Sequence, residues 1–264
     1  MSERFSASNA ARLMSCSASA NLELAIPNWQ PPVRDDNVGA KAKGAKIHSL
    51  VHELLSIQTV TAKSVKKFNA KDMANTAAML QYVADLMSTR RFNILSEHEE
   101  VTDWLANPGK TTADLVLYTQ DELHIIDFKV GAVPVDVFEN YQLMFYAVTY
   151  AKYAPKAKGV TVHIVQPWAK DWVPAKPGWY PNIPTTSSWY VDTVRLKQFM
   201  ADALAAEQKI IAKDTTFGPS DSCLFCPAYP HSRGDKGAPL CPTTLQLLYP
   251  RPEADEDAML NLED

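Results

Sequence analysis

Residues 111–146 read TTADLVLYTQDELHIIDFKVGAVPVDVFENYQLMFY. Two apolar runs, Leu115 to Tyr118 and Leu123 to Ile126, flank the polar turn Thr119-Gln120-Asp121-Glu122. Their β-branched content and tight punctuation predict a hairpin of two strands. Asp114 opens the first strand, and Asp127 and Lys129 close the second. Residues two apart share one face of a strand, so Asp127 and Lys129 point the same way. The start of one antiparallel strand lies beside the end of its partner, which brings Asp114 next to Asp127. Two carboxylates so placed repel unless a cation sits between them. A lysine beside them can hold a water or steady a developing charge. The pattern outlines a hard-metal hydrolytic site.

Asp114, Asp127-Phe128-Lys129 and Gln142-x-x-x-Tyr146 together resemble the PD-(D/E)xK nuclease superfamily. More closely they resemble its RecB/AddB-type exonuclease branch, which includes CRISPR-adaptation nucleases and many phage proteins. The resemblance extends from Ser8 to Cys241. It implies an α/β fold with a restriction-endonuclease-like core, a central mixed β-sheet flanked by helices, and a metal-cluster staple joining the N- and C-terminal segments. It implies Asp114, Asp127, Lys129, Gln142 and Tyr146 as the catalytic set. It also implies Mg²⁺ or Mn²⁺ held by His48, Asp114, Asp127, the backbone carbonyl of Phe128 and Glu97. Two positions depart from the pattern: Thr111 stands where relatives often carry Gly, and His52 where they often carry Glu.

Outward from the hairpin, residues 39–56 predict a helix, because Ile47, Leu50, Val51, Leu54 and Leu55 follow helical spacing. His48 and His52, four apart, share one of its faces. Residues 71–91 predict a second helix, with Arg90 and Arg91 complementing its C-terminal dipole. Asn93 to Val101 predicts a strand carrying three candidate carboxylates. Glu97 and Glu99 fall on one face and Glu100 on the other, and Glu97 is the favoured one. Glu139 to Tyr153 predicts a helix whose stripe of Tyr141, Phe145 and Val148 faces the core and leaves Gln142 and Tyr146 free for a site. Gly159 to Gln166 predicts a strand, 167–188 a Pro- and Trp-rich loop or hairpin insertion, Trp189 to Thr193 a short strand and 194–213 a helix. Trp side chains interleaved with Lys170 and Lys176 in that insertion suit either base stacking or cover for the core. Near the N-terminus, Ser8 predicts the N-cap of a helix from Asn9, and residues 26–38 predict a loop.

The four cysteines are Cys16, Cys223, Cys226 and Cys241. Cys223-x-x-Cys226 offers two thiolates on one tight turn. One N-terminal cysteine with three C-terminal ones resembles the iron–sulfur staple of AddB-type nucleases, which implies a [4Fe-4S] cluster. Structural Zn²⁺ on four cysteines, or on three with His231, is the rival reading, and buried free thiols are the third. Either metal centre closes a chain loop of more than 200 residues.

The chain has 264 residues and a formal net charge of −4, so DNA binding requires a local basic patch rather than a basic whole. It lacks an apolar run long enough to span a membrane and a secretion signal, so a cytoplasmic setting is expected, with no membrane partner. The expected organisation is a single nuclease domain over 1–252, with 1–38 and 214–249 forming a cysteine-cluster subdomain, and an acidic, disordered tail at 253–264. That tail suits docking to a basic groove on a recombination or single-strand-binding protein. The activity that the resemblance implies is metal-dependent DNA exonuclease action in phage DNA recombination or repair. A non-catalytic DNA-binding adaptor of the same fold and a structure-specific endonuclease are the alternatives.

Overall fold

The computed structural model describes residues 4–26, 40–55, 68–171, 184–229, 241 and 243. Most of the loop read at 26–38, the heart of the Trp/Pro-rich insertion, His231 and the acidic tail lie outside the described residues. The chain forms two compact units. The larger comprises Phe5–Ala10 and Asp35–Leu204, and the smaller Met1–Arg4, Ala11–Arg34 and Ala205–Asp264. The helices are α1 (Ala10–Ser15), α2 (Leu22–Ala25), α3 (Ala40–Leu55), α4 (Ala70–Thr89), α5 (Tyr141–Tyr150) and α6 (Thr193–Ile211). Among the described residues no helix is long and apolar enough to cross a membrane.

The larger unit is α/β, built on a five-stranded mixed sheet in the order β1 (Asn93–Val101), β2 (Lys110–Tyr118), β3 (Leu123–Phe128), β4 (Gly159–Val165) and β5 (Thr186–Asp192). All neighbours are antiparallel except β3 and β4. A parallel pair needs a long crossover, and α5 lies within it. β3 is buried at every position, so its sequence reads as a nearly continuous apolar run rather than an alternation. Ile47 and Val51 of α3 and Met79 and Val83 of α4 pack against Leu115, Leu117, Ile126 and Phe128. Asn69 caps α4 by accepting from the Asp72 N–H at 2.8 Å. Asp72 in turn receives Lys43 Nζ at 2.6 Å and Trp168 Nε1 at 3.1 Å, which ties α3 and α4 to the 3-10 turn at Pro167–Asp171.

Three sequence expectations are corrected. The N-terminal helix starts at Ala10, after a 3-10 turn at Ala7–Asn9, and Ser6 rather than Ser8 precedes that turn. Asn9 Oδ1 accepts from the Ser6 N–H at 2.8 Å and so closes it. β5 begins at Thr186, inside the stretch read as insertion, because its pairing with β4 continues to Val165↔Thr186. Tyr146 is not free of the core. It is 6 % exposed, because α5 is buried on most of its circumference, with Trp104 and Phe5 packed on Phe145.

A buried polar chain crosses the sheet. Tyr82 Oη lies 2.8 Å from His163 Nδ1, His163 Nε2 lies 2.9 Å from His124 Nδ1, and His124 Nε2 lies 2.8 Å from Glu122 Oε1. The carboxylate can only accept, so His124 donates from Nε2, His163 donates from Nε2, and Tyr82 donates its hydroxyl proton. Glu122 is anchored outside by Arg90, which also binds Asp121 at 2.7 Å. Arg90 thus clamps the hairpin turn instead of merely ending α4.

In the smaller unit Leu22, Ile26, Ala228 and Cys241 form the apolar centre. Ser17 Oγ donates to Asp214 Oδ2 at 2.9 Å and Asn21 Nδ2 to the Asp214 carbonyl at 3.0 Å. The backbone at Gly218 passes so close to Ser15 that a Cβ there would lie 1.8 Å from the Ser15 carbonyl oxygen.

Burial, reinforced by the neighbouring His124, pushes His163 down to about 3. A folded-state value below the unfolded one means stability that is whole above about pH 6.5 and is lost as pH falls towards 3. Unfolding free energy followed against pH should therefore fall on the order of 1 kcal/mol per pH unit across that window. His163→Leu should flatten the slope there. An unchanged slope in the variant would remove His163 as its source.

Candidate metal centre

The site sits where β1, β2 and β3 meet α3 and α5. His48 from α3, Glu97 from β1 and Asp114 from β2 place their ligand atoms all within 4.8 Å of one another. His48 Nδ1 is 3.1 Å from Asp114 Oδ1 and 3.7 Å from Glu97 Oε1. Burial opposes a charge on His48. Hydrogen bonds to Asp114 and Glu97 and the charges of Asp114 and Asp127 overcome it, and the imidazole is raised to about 10. Three carboxylates around one imidazole thus favour a positive charge at their centre.

Glu97 reaches this cluster through an unusual backbone. Its φ is 47°, in the left-handed region that costs a non-glycine residue about 1–2 kcal/mol. Register places it opposite Asp114, between the pairs Ser96↔Leu115 and His98↔Ala113. Successive strand residues normally point to opposite faces. Here Ser96 meets His52 at 3.0 Å while Glu97 meets His48, on the same helix one turn earlier. The local twist at Glu97 allows both. The other two candidate carboxylates are engaged elsewhere: Glu99 pairs with Lys110 at 2.6 Å, and Glu100 takes Lys152 at 2.8 Å and Tyr153 Oη at 2.7 Å.

Leu115 pairs with Ile126, so the next residues outward on the two strands are Asp114 and Asp127. Asp114 Oδ2 accepts from the Phe128 N–H at 2.7 Å. Asp127 is 3 % exposed, and its Oδ2 takes the Lys129 ammonium at 2.8 Å. The same Lys129 Nζ also donates to Gln142 Oε1 at 2.8 Å. Gln142 Nε2 then donates to Tyr146 Oη at 3.1 Å. Burial raises the Asp127 carboxyl to about 6, with Lys129 opposing the rise and Asp114 adding to it. Burial and then the Asp127 charge push the Tyr146 phenol well above its ordinary value, which keeps it protonated. A His/Glu/Asp cluster with its ligand atoms within 4.8 Å of one another, beside a further buried carboxylate, is chemistry that a divalent cation fits.

Of the residues picked from sequence, His48, Glu97, Asp114, Asp127, Lys129, Gln142 and Tyr146 are linked by these contacts, and Phe128 joins through its amide. His52 is not, being spent on Ser96. Sequence reading missed Gln166, which is 2 % exposed and bonds the loop after Lys129. A lone amide ending the apolar run GVTVHIVQ was the available signal.

In the smaller unit Cys16, Cys223, Cys226 and Cys241 line one cavity of about 350 Å³, part of it open to solvent, with Arg12, Ser19 and Phe217. Among the described residues no three of these sulfurs lie within 4.8 Å of one another. Tetrahedral zinc–thiolate bonds of about 2.3 Å would hold sulfurs about 3.8 Å apart. Burial raises the Cys226 thiol to about 11, with the Arg12 charge opposing the rise.

Among solved structures the chain is similar to SSO0001, at 10% identity over 70% of this chain and 93% of that one, with a TM-score of 0.34. It is similar to a protein from Eubacterium rectale provisionally named an exonuclease, at 9% identity over 93% and 98%, with a TM-score of 0.45. It is similar also to LHK-Exo in complex with dAMP, at 10% identity over 77% and 91%, with a TM-score of 0.32. A family model described as "Protein of unknown function (DUF2800)" matches residues 3–239, and the chain belongs to that family.

Proposed function

We propose that the chain is a metal-dependent nuclease that hydrolyses DNA phosphodiester bonds, acting as an exonuclease of the RecB/AddB type in phage DNA recombination or repair. The observation that carries this reading is the His48–Glu97–Asp114 cluster, its ligand atoms all within 4.8 Å of one another, with the buried Asp127, paired to Lys129, on the adjoining strand. His48, Glu97, Asp114, Asp127 and the Phe128 carbonyl hold Mg²⁺ or Mn²⁺, and the imidazole favours the latter. A metal bound there polarises the phosphate and eases deprotonation of water. Lys129, charged and held by Gln142, orients the attacking water and offsets negative charge on the phosphate. Tyr146, kept protonated, fixes Gln142 and through it Lys129. Cys16, Cys223, Cys226 and Cys241 hold an iron–sulfur cluster that staples the chain ends. The four cysteines lining one cavity support a four-thiolate centre.

End-labelled linear and circular DNA, single- and double-stranded, incubated with Mn²⁺, Mg²⁺ or EDTA, tests the activity. Linear DNA should be cut only with metal, and Asp127→Asn should lower kcat by about 10²–10⁴-fold while the melting temperature holds. Cutting of circles would shift the reading to an endonuclease, and equal cutting by the variant would sink the site.

Metal binding must displace the proton from His48. From pH 6 to 8, Mn²⁺ affinity measured by calorimetry should therefore rise roughly tenfold per pH unit, with one proton released. Below about 6 the Asp127 proton adds to the slope. A pH-independent affinity would exclude His48 as a ligand.

Protein purified without oxygen should contain about four iron and four sulfide per chain. Cys16→Ser should lose both and melt at a lower temperature. Stoichiometric zinc without iron would replace the cluster reading.

A further inference from the structure

The segment 130–140 leaves β3 after Lys129 and delivers the chain to α5 just before Gln142, so both its ends touch the site. It is locked along its length. Gln166 spends its whole amide on it: Nε2 donates to the Gly131 and Val133 carbonyls at 2.7 Å each, and Oε1 accepts from the Val135 N–H at 2.9 Å. Asp136 Oδ1 accepts from the Phe138 N–H at 2.9 Å, and the Asp136 carbonyl accepts from Asn140 Nδ2 at 2.8 Å. Glu139 holds a left-handed φ of 51° and is gripped by Arg195, whose Nε lies 2.8 Å from Glu139 Oε1.

This rigid loop leaves two apolar side chains in water, Val133 at 53 % and Phe138 at 62 % exposure. The Phe138 ring is backed by Trp189, with centroids 5.0 Å apart. A scattered exposed Phe needs no explanation. One carried on the loop that joins Lys129 to Gln142, on backbone held by a buried amide and an ion pair, has been built into place. We propose that Phe138 stacks on an unpaired nucleobase of the strand held at the metal centre, and that Gln166 is the positioning residue that sets its loop. The inference rests on the nuclease reading above. Base contact is favoured over phosphate contact because Asp136, two residues away, repels phosphate. An unpaired base is required because a base inside a duplex does not offer its face to a side chain.

The test uses single-stranded oligonucleotides carrying 2-aminopurine at successive positions from the end, in EDTA and in Ca²⁺. Wild type should quench one position, Phe138→Ala should lose that quench and Phe138→Trp should restore it. In Mn²⁺, Phe138→Ala should raise KM about 5- to 150-fold with little change in kcat. Gln166→Glu keeps the side-chain size but turns an acceptor toward the Gly131 and Val133 carbonyls. It should raise KM similarly and leave Mn²⁺ affinity at its wild-type value. Unchanged KM and quench in Phe138→Ala would overturn the proposal. So would loss of self-association or of hydrophobic-peptide binding with DNA parameters intact, which would assign the loop to a protein partner. A wild type that quenches but does not cleave would sink the nuclease reading and leave the stacking contact standing.

Discussion

Two carboxylates facing each other across the end of an antiparallel ladder are the constraint around which the larger unit is arranged. The pairing of β2 with β3 puts Asp114 and Asp127 in adjacent positions, and both lie away from bulk water. Their repulsion grows as the surroundings become less polar. The protein meets it with two cations drawn from different elements, the protonated His48 of α3 and Lys129 beyond β3. Glu97 brings in one more negative charge than these two can match, so the pocket remains electron-rich and receptive to a divalent ion.

The rest of the architecture places those charges. β4 runs parallel to β3, which forces the chain through a crossover and brings α5 over the sheet. α5 carries Gln142, and Gln142 holds the lysine. α3 is fixed by Ile47 and Val51 in the core and by Lys43 on Asp72, so His48 is aimed by packing as well as by its contact with Asp114. Away from the site, the histidine chain from Tyr82 to Glu122 satisfies polar groups that the sheet has buried.

The hairpin, the helix with His48 and the pairing of Asp114 with Asp127 were legible because each depends on short-range periodicity and on β-strand register. Nothing in the pattern of β1 separates Glu97 from Glu99 and Glu100, since its place turns on a left-handed residue that no periodicity announces. The burial of Tyr146 was hidden because α5 is buried on most of its circumference, and what covers it, such as Phe5 and Trp104 on Phe145, is distant in sequence. The start of β5 was misjudged because a β-strand edge is set by its partner, here β4, more than by its own composition. Gln166 escaped notice although it carries the same signal that singled out Gln142, an amide at an apolar position.

The left-handed backbone at Glu97 also bears on how this protein would respond to selection. A residue in that conformation weakens the fold that carries it, and a glycine there would relax the strand at no steric cost. A library screened for heat resistance alone would therefore drift away from Glu97, and its most robust members would have given up a candidate ligand. Screens that score folding without chemistry would enrich well-behaved sheets with a crippled pocket.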